Sequence, residues 1–157
     1  MIAAVLDCVV YVQAALSRRG PAFACLQLAD AEYVKLYLSP DILDEIRRAL
    51  GFPSLRRKYT RITDETVSQF LDHLERISVI TENPPTVFSL SRDSKDEPYL
   101  DLAIDTSAPF IVSRDRDLLD LMQDKGFREA YPGITILDPV AFLKHVRAEV
   151  AKELGHP

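Results

Sequence analysis

Two short runs decide the fold: Ile2-Ala3-Ala4-Val5-Leu6-Asp7 near the start of the chain, and Ala108-Pro109-Phe110-Ile111-Val112-Ser113-Arg114-Asp115 near its end. Each is an apolar stretch of strand length that stops at an acid. Continuous apolar runs, unlike alternating ones, suit strands covered on both faces, as in a parallel sheet. In open parallel sheets, ligands bind outside the carboxyl ends of the strands, so Asp7 and Asp115 can meet there although they lie far apart in the chain. Carboxylates that converge are the usual ligands of a hard metal ion.

Outward from these runs, strands and helices alternate. Cys8 to Leu16 reads as a largely apolar helix packed on the sheet, and a second helix spans about Ala22 to Ala31 after the break Arg18-Arg19-Gly20-Pro21. Tyr33 to Leu38 alternates as a strand does. Ser39-Pro40-Asp41 is a strong helix start, with apolar residues at Ile42, Leu43, Ile46 and Leu50 before Gly51 and Pro53 end the helix. Thr63, Asp64 and Glu65 form the capped start of another, which keeps its period through Val67, Phe70, Leu71, Leu74 and Ile77.

Ser78 to Leu90 carries two strand-like pairs, Val79-Ile80 and Val87-Phe88, around the breaker Asn83-Pro84-Pro85. Then come a helix over Asp96 to Asp105, a strand over Ala108 to Ser113, a short helix over Asp115 to Gln123, a strand over Ile134 to Leu137 and a closing helix from Asp138 to about Leu154. Short connections in this order predict an α/β fold, a three-layer α/β/α sandwich around a central, mainly parallel sheet. With 157 residues, 47% of them apolar, and no repeat or low-complexity tract, the expectation is one domain over residues 1–157.

Composition removes several classes of function. No apolar stretch approaches the roughly 20 residues of a membrane helix, and Met1 leads directly into a strand rather than an export signal, so the expected location is cytoplasmic. Cys8 and Cys25 have neither CxxC nor Cys/His spacing and read as small core residues. Neither GxGxxG nor GxxxxGK[ST] is present, so the backbone cradles for dinucleotides and P-loop phosphates are absent. His73, His145 and His156 fall on polar helical or terminal positions, and no G-x-S-x-G elbow exists. A phosphoaspartate phosphatase would need an acid two positions after Asp7, where Val9 stands.

The net charge of −5 argues against broad attraction to a nucleic-acid backbone, but the distribution is uneven. From Ile46 to Thr63 there are six basic residues, Arg47, Arg48, Arg56, Arg57, Lys58 and Arg61, and no acid. Such a segment is most often a solvated surface. Phe52 and Tyr59 interleaved with the charge, and Arg114 beside the second acidic strand end, also suit contact with RNA phosphates and bases.

The acids that remain are Asp7, Glu45, Asp96 and Asp115. Asp96 and Asp115 precede helices and could simply be N-caps, each contributing roughly 1 kcal/mol; Asp138 before Pro139 is read that way. Glu45 shares its helix with Asp41 and Asp44 and could be one of three solvated acids. Asp7 is different, because it lies inside an apolar stretch from Ile2 to Val12 where capping is a poor account of it. Burying an ionised carboxylate alone is costly, and no lysine or arginine lies within ten residues on either side. Either a cation from outside or a distant arginine brought near by the fold must offset that cost.

The same residues carry a family resemblance. Asp7 ends the first strand, Ser39-Pro40-Asp41-Ile42-Leu43-Asp44-Glu45-Ile46 opens one helix, and Arg92-Asp93-Ser94-Lys95-Asp96-Glu97-Pro98-Tyr99-Leu100-Asp101-Leu102-Ala103 opens another. With Phe110 to Leu119 and the closing Ile136-Leu137-Asp138-Pro139-Val140-Ala141-Phe142-Leu143, the chain resembles the PIN-domain family, specifically the toxin branch of toxin-antitoxin systems. The resemblance implies that Asp7, Glu45, Asp96 and Asp115 hold one or two Mg²⁺ or Mn²⁺ ions, with Ser113 and Asp117 in second rank. It also implies hydrolysis of single-stranded RNA, an antitoxin protein covering the acidic pocket, and a homodimer. One departure stands out. Family members commonly read Asp-Thr-Asn where this chain has Asp7-Cys8-Val9, so the amide that helps orient the acids is missing. Two other readings follow from the residues: a PIN-like scaffold that binds without cleaving, and a receiver-like signalling domain. The second needs adjacent acids at the first strand and a lysine after a late one, and Cys8 and Arg114 supply neither.

Overall fold

The computed structural model describes residues 1–84 and 96–155. In chain order these form β1 (Ile2–Leu6), α1 (Cys8–Leu16), α2 (Pro21–Asp30), β2 (Val34–Leu38), α3 (Pro40–Leu50), α4 (Pro53–Lys58), α5 (Asp64–Ile77) and β3 (Ser78–Ile80). They continue with α6 (Glu97–Thr106), β4 (Phe110–Val112), α7 (Arg116–Asp120), a 3-10 turn at Leu121–Gln123, α8 (Lys125–Ala130), β5 (Thr135–Leu137) and α9 (Pro139–Glu153). The expected strand at Val87-Phe88 lies outside the described residues, as does His156.

The five strands pair in parallel in the order β3-β2-β1-β4-β5. Ala4 sits opposite both Leu36 of β2 and Phe110 of β4. β1 is therefore the central strand, and Ala4, Val5 and Leu6 are all fully buried, which is what its unbroken apolar sequence requires. Growth of the sheet reverses between β1 and β4: the chain moves outward through β2 to β3, then returns across the sheet to β4 and β5. Right-handed crossovers in opposite directions must lie on opposite faces. Accordingly α6 packs across β1, β2 and β4, while α2 packs against both α1 and α9. The result is the α/β/α sandwich expected from the sequence.

Local chemistry explains most helix starts. The Ser39 side chain accepts the Ile42 N–H at 3.3 Å, Thr63 accepts from Thr66 at 3.2 Å in a reciprocal capping box, and Asp138 accepts from Ala141 at 2.8 Å. Gly20, at φ 101°, makes the turn into α2 in a conformation that side chains rarely adopt. One expectation needs correction, and one stretch left without an element proves helical. Within the basic segment after Gly51, Pro53–Lys58 coils into α4 with Pro53 in its first turn. The helix expected over Asp115 to Gln123 splits into α7 and the 3-10 turn, followed by the unanticipated α8 that Asp124 caps through Phe127 N–H at 2.9 Å.

Candidate active site

The carboxyl ends of β1 and β4 meet at the point where strand order reverses, the position at which open α/β sheets bind ligands. Backbone bonds carry the ladder one residue past each strand. The Asp7 N–H donates to the Val112 carbonyl at 3.0 Å, and the Ser113 N–H to the Leu137 carbonyl at 2.9 Å. Asp7 and Ser113 are thus fixed by the sheet itself.

Asp7 is 3% exposed. Contrary to the sequence reading, it is a genuine N-cap: its Oδ1 accepts the Val10 N–H at 3.0 Å and so starts α1. Its other oxygen, Oδ2, accepts the hydroxyl of Ser113, a residue with no exposed surface. The same Ser113 Oγ accepts the Asp115 N–H at 2.9 Å, so one hydroxyl joins the two acidic strand ends. Burial raises the Asp7 carboxyl above its ordinary pKa, and the nearby Asp115 charge adds to this, against the lowering effect of bonds from Ser113 and the amides of Val10 and Arg114. No lysine or arginine acts on it or pairs with it among the described residues. The distant arginine that could have neutralised Asp7 is therefore not found there.

Asp115 is the N-cap of α7, with Oδ1 accepting from Asp117 at 2.8 Å and Leu118 at 3.3 Å. Capping and site membership are compatible, because one oxygen serves the helix while the residue stays tied to Asp7 through Ser113.

Glu45 arrives from α3. Its Oε2 accepts the Tyr99 hydroxyl at 2.9 Å, and that hydroxyl accepts the Cys8 N–H at 3.1 Å. Cys8 is a core residue, as its sequence suggests, but its thiol also faces the acids. It is pushed up to about 12 by burial first, then by the charges of Glu45 and Asp7 and a hydrogen bond to Glu45, with Arg48 acting in the opposite sense. Glu45 and Asp7 therefore approach the same residue from two sides.

Asp96 stands at the start of α6, one turn before Tyr99 on the same helix face, and is 5% exposed. The capping explanation does not hold for it, since its side chain makes no cap bond to α6. Asp7, Glu45, Asp96 and Asp115 thus all come from the carboxyl end of the sheet. Asp115 is linked to Asp7 through its backbone N–H and Ser113, and Glu45 bonds to Cys8. Among the described residues, no three Asp, Glu, His or Cys side chains gather closely enough to hold one ion.

In donor chemistry the residues suit a hard divalent cation: the Ser113 hydroxyl donates to the buried Asp7 carboxylate and accepts the backbone N–H of Asp115, and among the described residues no lysine or arginine forms an ion pair with either acid. Val9, where the orienting amide is missing, is 49% exposed and apolar, so the bonds that orient the acids come from Ser113 and Tyr99 instead. Ser113 was a second-rank candidate through the family resemblance. Tyr99 was missed, and its one signal is the three-residue spacing from Asp96.

The basic residues divide into two groups. Arg56 is committed to structure, donating to the Leu50 carbonyl at 2.9 Å and pairing with Asp64 at 2.6 Å. Arg61 donates to the carbonyls of Ala15 and Leu16. Arg47, Arg48, Arg57, Lys58 and Arg114 are exposed, as is Phe52, and Lys58 lies 5.5 Å from the centre of the Tyr59 ring. A separate cleft of about 430 Å³ between α1, α2 and α5, lined by residues such as Phe23, Leu26 and Phe70, contains none of the four acids. The titratable chemistry lies instead at the strand ends.

Residues 3–117 match the model of the PIN domain family. The chain is also 31% identical over 126 residues to the uncharacterized protein MJ1680 of Methanocaldococcus jannaschii, covering 80% of this chain and 79% of that protein. No solved structure matches. With sheet order, acidic strand ends and family match in agreement, the chain belongs to the PIN-domain family, whose members are in general divalent-metal-dependent nucleases.

Proposed function

We propose that this protein is a Mg²⁺- or Mn²⁺-dependent endoribonuclease that hydrolyses phosphodiester bonds in single-stranded RNA, as the toxin component of a toxin-antitoxin pair. The observation that supports the metal site is the Ser113 hydroxyl, which donates to the Asp7 carboxylate and accepts the Asp115 backbone N–H at the sheet's reversal point, inside a chain of a nuclease family. Asp7 is the central metal ligand, Asp115 and Asp96 flank it, and Glu45 either ligates through water or positions the attacking water. When bound, the ion supplies Lewis-acid activation of water and neutralises charge growing on the phosphate and leaving oxygen. Ser113 keeps the Asp7 carboxylate turned toward Asp115. Arg47, Arg48, Arg57, Lys58 and Arg114 hold the RNA backbone, with Arg56 contributing charge from its structural position. The partners in this reading are RNA, an antitoxin whose segment covers the acids, and a second copy of the chain.

The purified protein should cleave end-labelled single-stranded RNA with Mn²⁺ and stop on chelation. Asp7→Asn should lose cleavage by at least about 100-fold, the scale set by removing a major electrostatic group from a site, while still unfolding cooperatively. Undiminished cleavage by that variant removes the assignment.

The exposed Val9 favours a second reading, a PIN-like scaffold that binds partners without cleaving. Calorimetric titration with Mn²⁺ separates the two, because a pure scaffold gives no binding isotherm.

A further inference from the structure

Glu45 and Asp7 reach the sheet end from different crossovers, and neither touches the other through a direct bond among those found. Tyr99 links them. Its ring is buried, and its hydroxyl has one proton to give and lone pairs to accept with. It accepts the Cys8 N–H at 3.1 Å and gives its proton to Glu45 at 2.9 Å. The Cys8 N–H is the first amide of α1, one of the donors that every helix start leaves without an internal partner. Asp7 serves the Val10 amide of that same turn. The opening turn of α1 is thus shared between the Asp7 carboxylate and the Tyr99 hydroxyl. Because the incoming N–H fixes one side of the hydroxyl, its proton is left pointing at Glu45.

We propose that Tyr99 is a positioning residue: it ties the Glu45 carboxylate to the start of α1, and so sets Glu45 in register with Asp7 for binding a divalent cation. This rests on the metal-site reading above and adds to it a residue on α6 that holds no metal itself. The competing account makes Tyr99 a core side chain that caps α1 and touches Glu45 incidentally.

A double-mutant cycle on Mn²⁺ affinity, measured by calorimetry on the full chain, decides between them. Tyr99→Phe should raise the Mn²⁺ dissociation constant about 10-fold, the usual scale for losing a partner behind a metal ligand. In a Glu45→Ala background the same substitution should change it no further. On RNA, kcat should fall with KM nearly unchanged. Equal penalties in both backgrounds, or no penalty in either, overturn the proposal.

Should Tyr99→Phe not fold, the contact is read from its other end. Glu45→Ala, made in a Cys8→Ala background that removes the thiol contact with Glu45, should shift the backbone amide of position 8 in a ¹⁵N-correlated spectrum while leaving Val10 in place, and an unmoved amide at position 8 overturns the proposal. A wild-type protein that binds no Mn²⁺ overturns the metal site, and this inference with it. One that binds Mn²⁺ normally beside an indifferent Tyr99→Phe overturns this inference alone.

Discussion

Asp7 serves two structural ends with one carboxylate: it starts α1 through Val10 and holds Ser113. The capping use survives in Asp7→Asn, because the amide oxygen still accepts the Val10 N–H; the amide nitrogen then faces Ser113, whose oxygen can accept from it, while the buried charge disappears. In the metal-free protein the fold raises the Asp7 pKa above 3.8, mainly by burial. The fold therefore favours the protonated acid, and that contribution to stability is complete below pH 3.8 and lost as pH rises through the raised value. In chelator, Asp7→Asn should gain stability relative to wild type as pH rises from about 4 toward neutrality. Denaturant midpoints across that range test this, and a difference that stays flat with pH contradicts it. Asp7 also marks how far the sequence could be read at this scale. Its acidity amid apolar residues was legible, but its capping role was not, because no polar neighbour announces a helix start at Cys8. Tyr99 was equally hidden, since a tyrosine on an apolar helix face looks like core until Glu45 is brought beside it.

Among elements, the helices with strong caps and long apolar periods were legible: Ser39, Thr63 and Asp138 each open the helix that the sequence assigns to them. The six-residue helices α4 and α8 were not, because one and a half turns carry too few residues to establish a period. One consequence concerns the basic segment, whose members look alike in sequence and differ in the fold. Arg61 caps the end of α1 by donating to Ala15 at 3.1 Å and to Leu16, where a cation also suits the helix dipole. Arg61→Ala should therefore lower stability by about 1 kcal/mol and leave Mn²⁺ affinity unchanged. Thermal unfolding beside calorimetry checks both halves.

At the scale of the molecule, the parallel order β3-β2-β1-β4-β5 brings Asp7 and Ser113 together from distant parts of the chain. Two buried runs and the alternation of elements made this fold readable. The degree of convergence of Glu45 and Asp96 was not, because it depends on helix tilt and side-chain angle rather than on order along the chain. Charge is arranged on the same scale, with exposed Arg47, Arg48, Arg57 and Lys58 concentrated on and after α3 in a chain of net charge −5. If these hold RNA phosphates, affinity should fall steeply with salt, and each charge removed should reduce the log-log slope by about 0.7. Arg57→Ala and Lys58→Ala, compared by fluorescence anisotropy with a labelled single strand, should each show that change. A slope that neither substitution alters contradicts RNA contact there.

The central claim is that Asp7 and Asp115, joined by Ser113, hold a divalent cation with help from Glu45 and Asp96. A crystal soaked in Mn²⁺ and measured at the manganese edge tests it most directly. The account predicts an anomalous peak in contact with Asp7 and Asp115 at the reversal point of the sheet. Manganese bound elsewhere, with that position empty in the same crystal, contradicts it.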